Sequence, residues 1–127
     1  MKVVETLADA ECWNLLGAKP LGRLALVGDG GIDIFPVNYV VHDQVIYFRS
    51  APGSKLAELT AHPDVAFEVD GTHRSKHWSV VAKGRAERMA IDTEIEASGV
   101  LELETANPTE KWNYVRIVPT TVTGRRF

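Results

Sequence analysis

Arg49-Ser50 and Ser54-Lys55 stand on either side of Ala51-Pro52-Gly53, so hydroxyl, guanidinium and ammonium groups collect where an extended segment gives way to a helix. The unpaired N–H groups and the dipole of a helix start attract an anion. Serine hydroxyls and flanking cations then suit a phosphate group. The same residues also satisfy a simpler account, in which Ser54 caps the helix and Lys55 is solvated. Upstream, Phe35-Pro36-Val37-Asn38-Tyr39 interrupts a strand pattern with a proline. Proline donates no ladder hydrogen bond, so this strand lies at an edge or opens locally. Its backbone groups, with the amide of Asn38, could then read a ligand's edge. A proline that merely blunts an edge against aggregation fits equally.

Other chemistries find less support. His73 and His77 flank a polar loop without a helical register or a completing Cys, Asp or Glu, so no metal site is expected. Cys12, beside Trp13 in an expected helix and with no histidine close in sequence, reads as core and not as a nucleophile. The sequence carries no nucleophile elbow, Walker loop or dinucleotide glycine fingerprint.

The elements that must hold these groups are mostly strands. Extended segments are expected at Gly22 to Val27, Ile32 to Val41, Val45 to Ser50, Val65 to Thr72, Trp78 to Glu87 and Lys111 to Val118. Hairpin turns at Asp29-Gly30-Gly31 and His42-Asp43-Gln44 join the first three. Alternation places Val65, Phe67 and Val69 on one face, and Trp78, Val80, Ala82, Gly84 and Ala86 on another. Strands with one wet face indicate an antiparallel sheet, and their short spacing indicates a barrel. Short helices are expected from Leu7 to Leu16 behind a Thr6–Asp9 capping box, from Lys55 to Ala61, and from a capping Asp92 to Leu103. Gly124-Arg125-Arg126 falls in a C-terminal tail. The expected architecture is therefore mainly β, a six-stranded antiparallel barrel with short flanking helices.

Composition bounds the function. The chain has 127 residues, 45% apolar and 24% charged, with a net charge of −3. That length suits a single domain over residues 1–127, and the charge gives no basic field for nucleic acid. One cysteine, no signal pattern and no long apolar run point to the cytoplasm and away from a membrane.

Taken in order, these segments resemble the flavin-binding split-barrel family named after pyridoxamine 5′-phosphate oxidase, in its nitroimidazole-reductase-like branch. The resemblance rests on Leu21-Gly22-Arg23-Leu24-Ala25, Phe35-Pro36-Val37-Asn38-Tyr39, Phe48-Arg49-Ser50 with Gly53-Ser54-Lys55-Leu56, and Val65-Ala66-Phe67-Glu68-Val69-Asp70. It continues in Trp78-Ser79-Val80-Val81, Gly84-Arg85-Ala86 and Thr123-Gly124-Arg125-Arg126. It implies a split-barrel homodimer with flavin mononucleotide (FMN) at the subunit interface, or in some relatives a deazaflavin or haem. By the same resemblance, Pro36, Val37 and Asn38 line the flavin ring, while Arg49, Ser50, Ser54 and Lys55 hold the phosphate. Trp78, Ser79, Arg125 and Trp112 approach the ring. Basic residues for a substrate phosphate are not found in recognisable context, which disfavours vitamin B6 oxidation. The implied activity is reduction of a small electron-poor molecule by a nicotinamide donor, with non-catalytic carriage of the cofactor as the alternative.

Overall fold

The computed structural model describes residues 3–50, 54–103 and 113–127. Its strands are β1 (Glu5–Thr6), β2 (Leu21–Gly28), β3 (Gly31–Asn38), β4 (Val40–His42), β5 (Val45–Ser50), β6 (Asp64–His73), β7 (Lys76–Arg88) and β8 (Asn113–Arg126). Helices α1 (Asp9–Gly17), α2 (Ser54–Ala61) and α3 (Asp92–Ser98) lie between them, and a 3₁₀ turn follows at Val100–Glu102.

All pairings are antiparallel, in the order β3-β2-β6-β7-β8-β5-β4, and β1 adds to β8. β3 and β4 hold opposite edges of this sheet, yet only Tyr39 separates them in the chain. The sheet must therefore curl until its edges meet at one residue, which makes a barrel with a split. Tyr39 is anchored on every side. Its N–H donates to the Pro20 carbonyl at 3.3 Å, and its buried hydroxyl donates to the Leu16 carbonyl. Its ring meets Phe67 edge-on at 4.7 Å between centroids.

The expected six strands become eight for two reasons. The segment Ile32 to Val41 divides at Tyr39, and Glu5–Thr6 pairs with Arg125 and Arg126. The C-terminal tail is itself strand: β8 runs through Gly124-Arg125-Arg126 and joins β7 to β5. Its polar exposed residues carry little apolar alternation, so partner strands on both sides specify it instead. Two caps also differ from expectation. Ala8 precedes α1 without a side-chain cap, because Thr6 is committed to β1. Ile91 precedes α3, which ends at Ser98 where Gly99 turns left-handed at φ 81°.

The core fills the barrel as the alternation requires. Leu24, Leu26, Ile46, Phe48, Phe67, Val69, Val80, Ala82, Val115 and Ile117 are buried inside, and Cys12 and Leu16 of α1 close one end. Close packing explains two glycines. A Cβ at Gly22 would lie 2.3 Å from the Phe67 ring, and one at Gly124 would lie 2.7 Å from Cys12 Sγ. A second cluster of Tyr47, Met89, Ile95 and Val100 seats α3 on the outside.

Candidate functional site

β3 is an edge strand, as Pro36 requires. The hydrogen bond from Tyr39 N–H to Pro20 fixes the parity of the ladder. Residues 33, 35, 37 and 39 turn their backbone polar groups toward β2. Ile34, Pro36 and Asn38 turn theirs to the open edge, where no described strand pairs. Pro36 thus sits where its missing N–H costs no ladder bond. Val37 sends its side chain into the core, whereas Asn38 is exposed.

Following the register across the sheet gathers other expected residues onto one surface. Pro36 lies opposite Arg23, and Arg23 opposite Glu68; Asn38 lies opposite Leu21. Further along, Glu68 faces Val81, and Ser79 faces Arg125. Pro36, Asn38, Ser79 and Arg125 therefore share the outward face of β3-β2-β6-β7-β8. That face is unusually apolar for solvent: Ile32 and Ile34 are 76% and 67% exposed, with Val27 and Leu21 beside them. An ion cluster crosses it, in which Arg23 donates to Glu68 at 2.9 Å and also to Asp70. These two carboxylates, Asp70 foremost, hold the Arg23 guanidinium above its ordinary pKa.

Two depressions mark this face. One of about 430 Å³ has Ala25, Val27, Ile32 and Ala66 in its wall, with Lys83 and Arg85 at its rim. The other, of about 490 Å³, is lined by Val4, Ser79, Arg125 and Phe127. The Phe127 ring stacks on His77 at 5.8 Å, and the two residues exchange backbone hydrogen bonds of 2.8 Å. His73 and His77 thus lie in paired strands, not in a loop; the turn between them is Arg74-Ser75, both left-handed at φ 50° and 65°.

The structure separates two arginines that the sequence could not. Arg126 is tied to Glu5 at 3.2 Å and to Glu11, and both carboxylates, Glu11 foremost, raise its pKa. Arg125 points the other way, is exposed, and forms no ion pair among the described residues. Trp78 is buried under Lys19, whose ammonium lies 6.0 Å from the ring centroid. Its place is the barrel wall, so Ser79 is the neighbour that reaches the outer face.

The expected phosphate residues fall where β5 ends and α2 begins. Arg49 is half-buried and Ser50 buried at the end of β5, and α2 begins at Ser54. The side chains of Ser54 and Lys55, and all of Trp112, lie outside the described residues. Cys12 is fully buried, and burial, then Asp9 and Glu11, push its thiol pKa up, against any nucleophilic role. Among the described residues no group of three His, Cys, Asp or Glu could hold a metal ion. No described helix is long and apolar enough to cross a membrane. The sequence reading missed Ile32, Ile34, Val4 and Phe127 as site features. The alternation Ile32, Ile34, Pro36, Asn38 against Phe35 and Val37 carried the signal for a strand apolar on both faces.

Residues 8–126 match the family model described as pyridoxamine 5′-phosphate oxidase. A solved structure from Corynebacterium glutamicum, provisionally named a pyridoxamine 5′-phosphate oxidase, is 41% identical and superposes with a TM-score of 0.85 over 98% of each chain. An FAD-binding protein from Mycobacterium smegmatis is 35% identical, with a TM-score of 0.83 over 97% of this chain and 98% of the other. An FAD-binding protein from Mesorhizobium loti is 28% identical, with a TM-score of 0.86 over 99% of each.

Proposed function

The chain belongs to the pyridoxamine 5′-phosphate oxidase family, and on that premise we propose that it is a flavoprotein oxidoreductase acting as a homodimer. That Pro36, Asn38, Ser79 and Arg125 share one apolar outward face, at opposite sides of it, is the observation that carries this reading. A flavin ring is a flat apolar body with a polar rim. The open backbone edge of β3 suits that rim, and the isoleucine-rich face suits the body. A second copy packed on this face would bury Ile32 and Ile34 and exclude water from the ring. Ser79 and Arg125 would then approach the ring from the partner subunit.

When bound, the flavin supplies hydride transfer between a nicotinamide donor and a small electron-poor acceptor. The chain's own residues bind and tune. The half-buried Arg49, the buried Ser50 and the start of α2 would hold the phosphate, with Ser54 and Lys55 completing the cradle. Pro36 and Asn38 would fix the ring's plane, while Val37, buried in the core and paired with β2, would hold the strand in place behind them. Arg125 would stabilise negative charge left on the ring by reduction, in a site where low dielectric strengthens the interaction. FMN is the smallest cofactor that satisfies these contacts. FAD is a second reading, favoured by the two FAD-binding relatives.

Titration of the purified protein with FMN tests the assignment. Lys55→Ala should weaken binding by at least about tenfold, the scale of one lost charge-assisted hydrogen bond, without changing the melting temperature. Unchanged affinity would remove the phosphate assignment. Bleaching of the bound flavin by NADH or NADPH separates an oxidoreductase from a carrier, whose flavin stays oxidised with both donors.

A further inference from the structure

The β6–β7 hairpin runs past the rest of the sheet. β2 pairs with β6 only from Arg23 to Ala25, opposite Glu68 to Ala66. Beyond Asp70, the described strand partners of the hairpin are its own two strands and the end of β8. Its tip, Thr72-His73-Arg74-Ser75-Lys76-His77, is exposed throughout and carries two cations, two histidines and no acid. In a chain of net charge −3, that is a local reversal of sign.

The neighbouring carboxylates do not cancel this charge, because other arginines hold them. Arg23 takes Glu68 and Asp70, and Arg126 takes Glu5 and Glu11. Among the described residues Arg74, Lys76 and Arg125 form no ion pair. The tip is also continuous with the proposed flavin surface. Thr72 and His77 pair across the hairpin on the face that carries Ser79 and Arg125. The His77 ring stacks on Phe127, which lines the depression of about 490 Å³ together with Val4, Ser79 and Arg125. At ~3.3 Å per residue, Ser75 in the turn lies roughly 13 Å along β7 from Ser79. An apolar depression at one end and unpaired cations at the other match an elongated ligand, flat at one end and phosphorylated at the other.

We infer that the hairpin tip binds the 2′-phosphate of NADPH, which makes NADPH and not NADH the electron donor. The inference rests on the oxidoreductase reading above and deepens it by naming the donor. The nicotinamide meets the flavin ring beside Ser79 and Arg125, and the diphosphate crosses Thr72 and His77. Arg74, in the turn itself, is the principal contact of the 2′-phosphate, which its planar fork suits. Lys76 leaves β7 on the face opposite His77, so it adds to the local field and is not a second clamp. NADPH gives one hydride to the flavin and leaves as NADP⁺. The 2′-phosphate takes no part in that transfer, so the tip acts on donor binding alone.

Calorimetric titration of the full-length protein with adenosine 2′,5′-bisphosphate reads the tip without turnover. It should bind at least about tenfold more tightly than AMP, the scale of one charge-assisted pair, and Arg74→Ala should remove the difference. Arg74→Lys should keep part of it, because a point charge replaces the planar fork. Anaerobic bleaching of the bound flavin should show a kcat/KM at least about tenfold higher with NADPH than with NADH. Arg74→Ala should bring the NADPH value down to that of NADH. Equal binding of the bisphosphate and AMP, or equal rates with the two donors, would overturn the inference and leave the flavin reading standing. So would an Arg74→Ala variant that keeps the wild-type preference. A bound flavin that neither donor bleaches would overturn the inference together with the oxidoreductase reading.

Discussion

Replacing Tyr39 by phenylalanine perturbs the residue where the two edges of the sheet meet. The ring and its edge-on contact with Phe67 are retained; only the hydroxyl that donates to the Leu16 carbonyl is lost. Tyr39 is 3% exposed, so that carbonyl would be left without its partner in a place water does not reach. Such a loss costs about 1–3 kcal/mol at neutral pH. Burial also raises the pKa of the Tyr39 hydroxyl in the folded protein above its ordinary value near 10. The folded state then keeps a proton that the unfolded chain releases. The contribution is fully present below pH 10 and declines as pH rises from there toward the folded pKa. At pH 11 the decline amounts to about 1.4 kcal/mol, one pH unit of one proton. Urea unfolding of wild type and Tyr39→Phe, followed by tryptophan fluorescence at pH 7 and pH 11, measures both effects. Tyr47 and Tyr114 are common to the two proteins and cancel in the difference. The wild-type advantage should be about 1–3 kcal/mol at pH 7 and should shrink by about 1.4 kcal/mol at pH 11. Equal stability at pH 7, or an advantage that does not change with pH, would refute the buried hydroxyl's role in closing the barrel.

Other substitutions probe different parts of the structure. Gly124→Ala sets a methyl 2.7 Å from Cys12 Sγ and 3.1 Å from Leu7 Cδ1. It should destabilise by about 1–3 kcal/mol in urea. Gly30→Ala, where nothing lies within 4 Å, serves as the neutral control. The two C-terminal arginines should behave in opposite ways. Arg126→Ala breaks the pairs with Glu5 and Glu11 and should lower the thermal midpoint, less so in high salt. Arg125→Ala should leave the midpoint unchanged and make the bound flavin harder to reduce, read as a more negative potential.

The strands were legible because residues with one wet face alternate plainly. Val65, Phe67 and Val69 are buried, as are Trp78, Val80 and Ala82, just as their spacing requires. Pro36 gave away an edge strand for a purely local reason, its missing donor. Non-local causes were hidden. Nothing near Tyr39 marks it as the point where strand pairing changes sides, because its partners Pro20, Leu16 and Phe67 lie far away in sequence. β8 escaped notice beyond Val118 because Thr120, Thr121 and Thr123 are exposed and polar; its pairing with β7, not its own pattern, makes it strand. The Thr6–Asp9 capping box failed for a related reason, since β1 takes Thr6 for a ladder before it can cap a helix. In the candidate site, residue identity came from sequence, while the common face of Pro36, Asn38, Ser79 and Arg125 emerges only from the register of five strands.

The central claim is that this sheet face and the start of α2 together make a flavin site. Titrating the purified protein with FMN and with FAD, while following flavin fluorescence, tests it most directly. Quenching should saturate at one flavin per chain, and Lys55→Ala should weaken it by at least about tenfold. A titration in which neither flavin is quenched, with the protein folded by circular dichroism, would contradict it and leave the residues around Ser54 as an ordinary helix start.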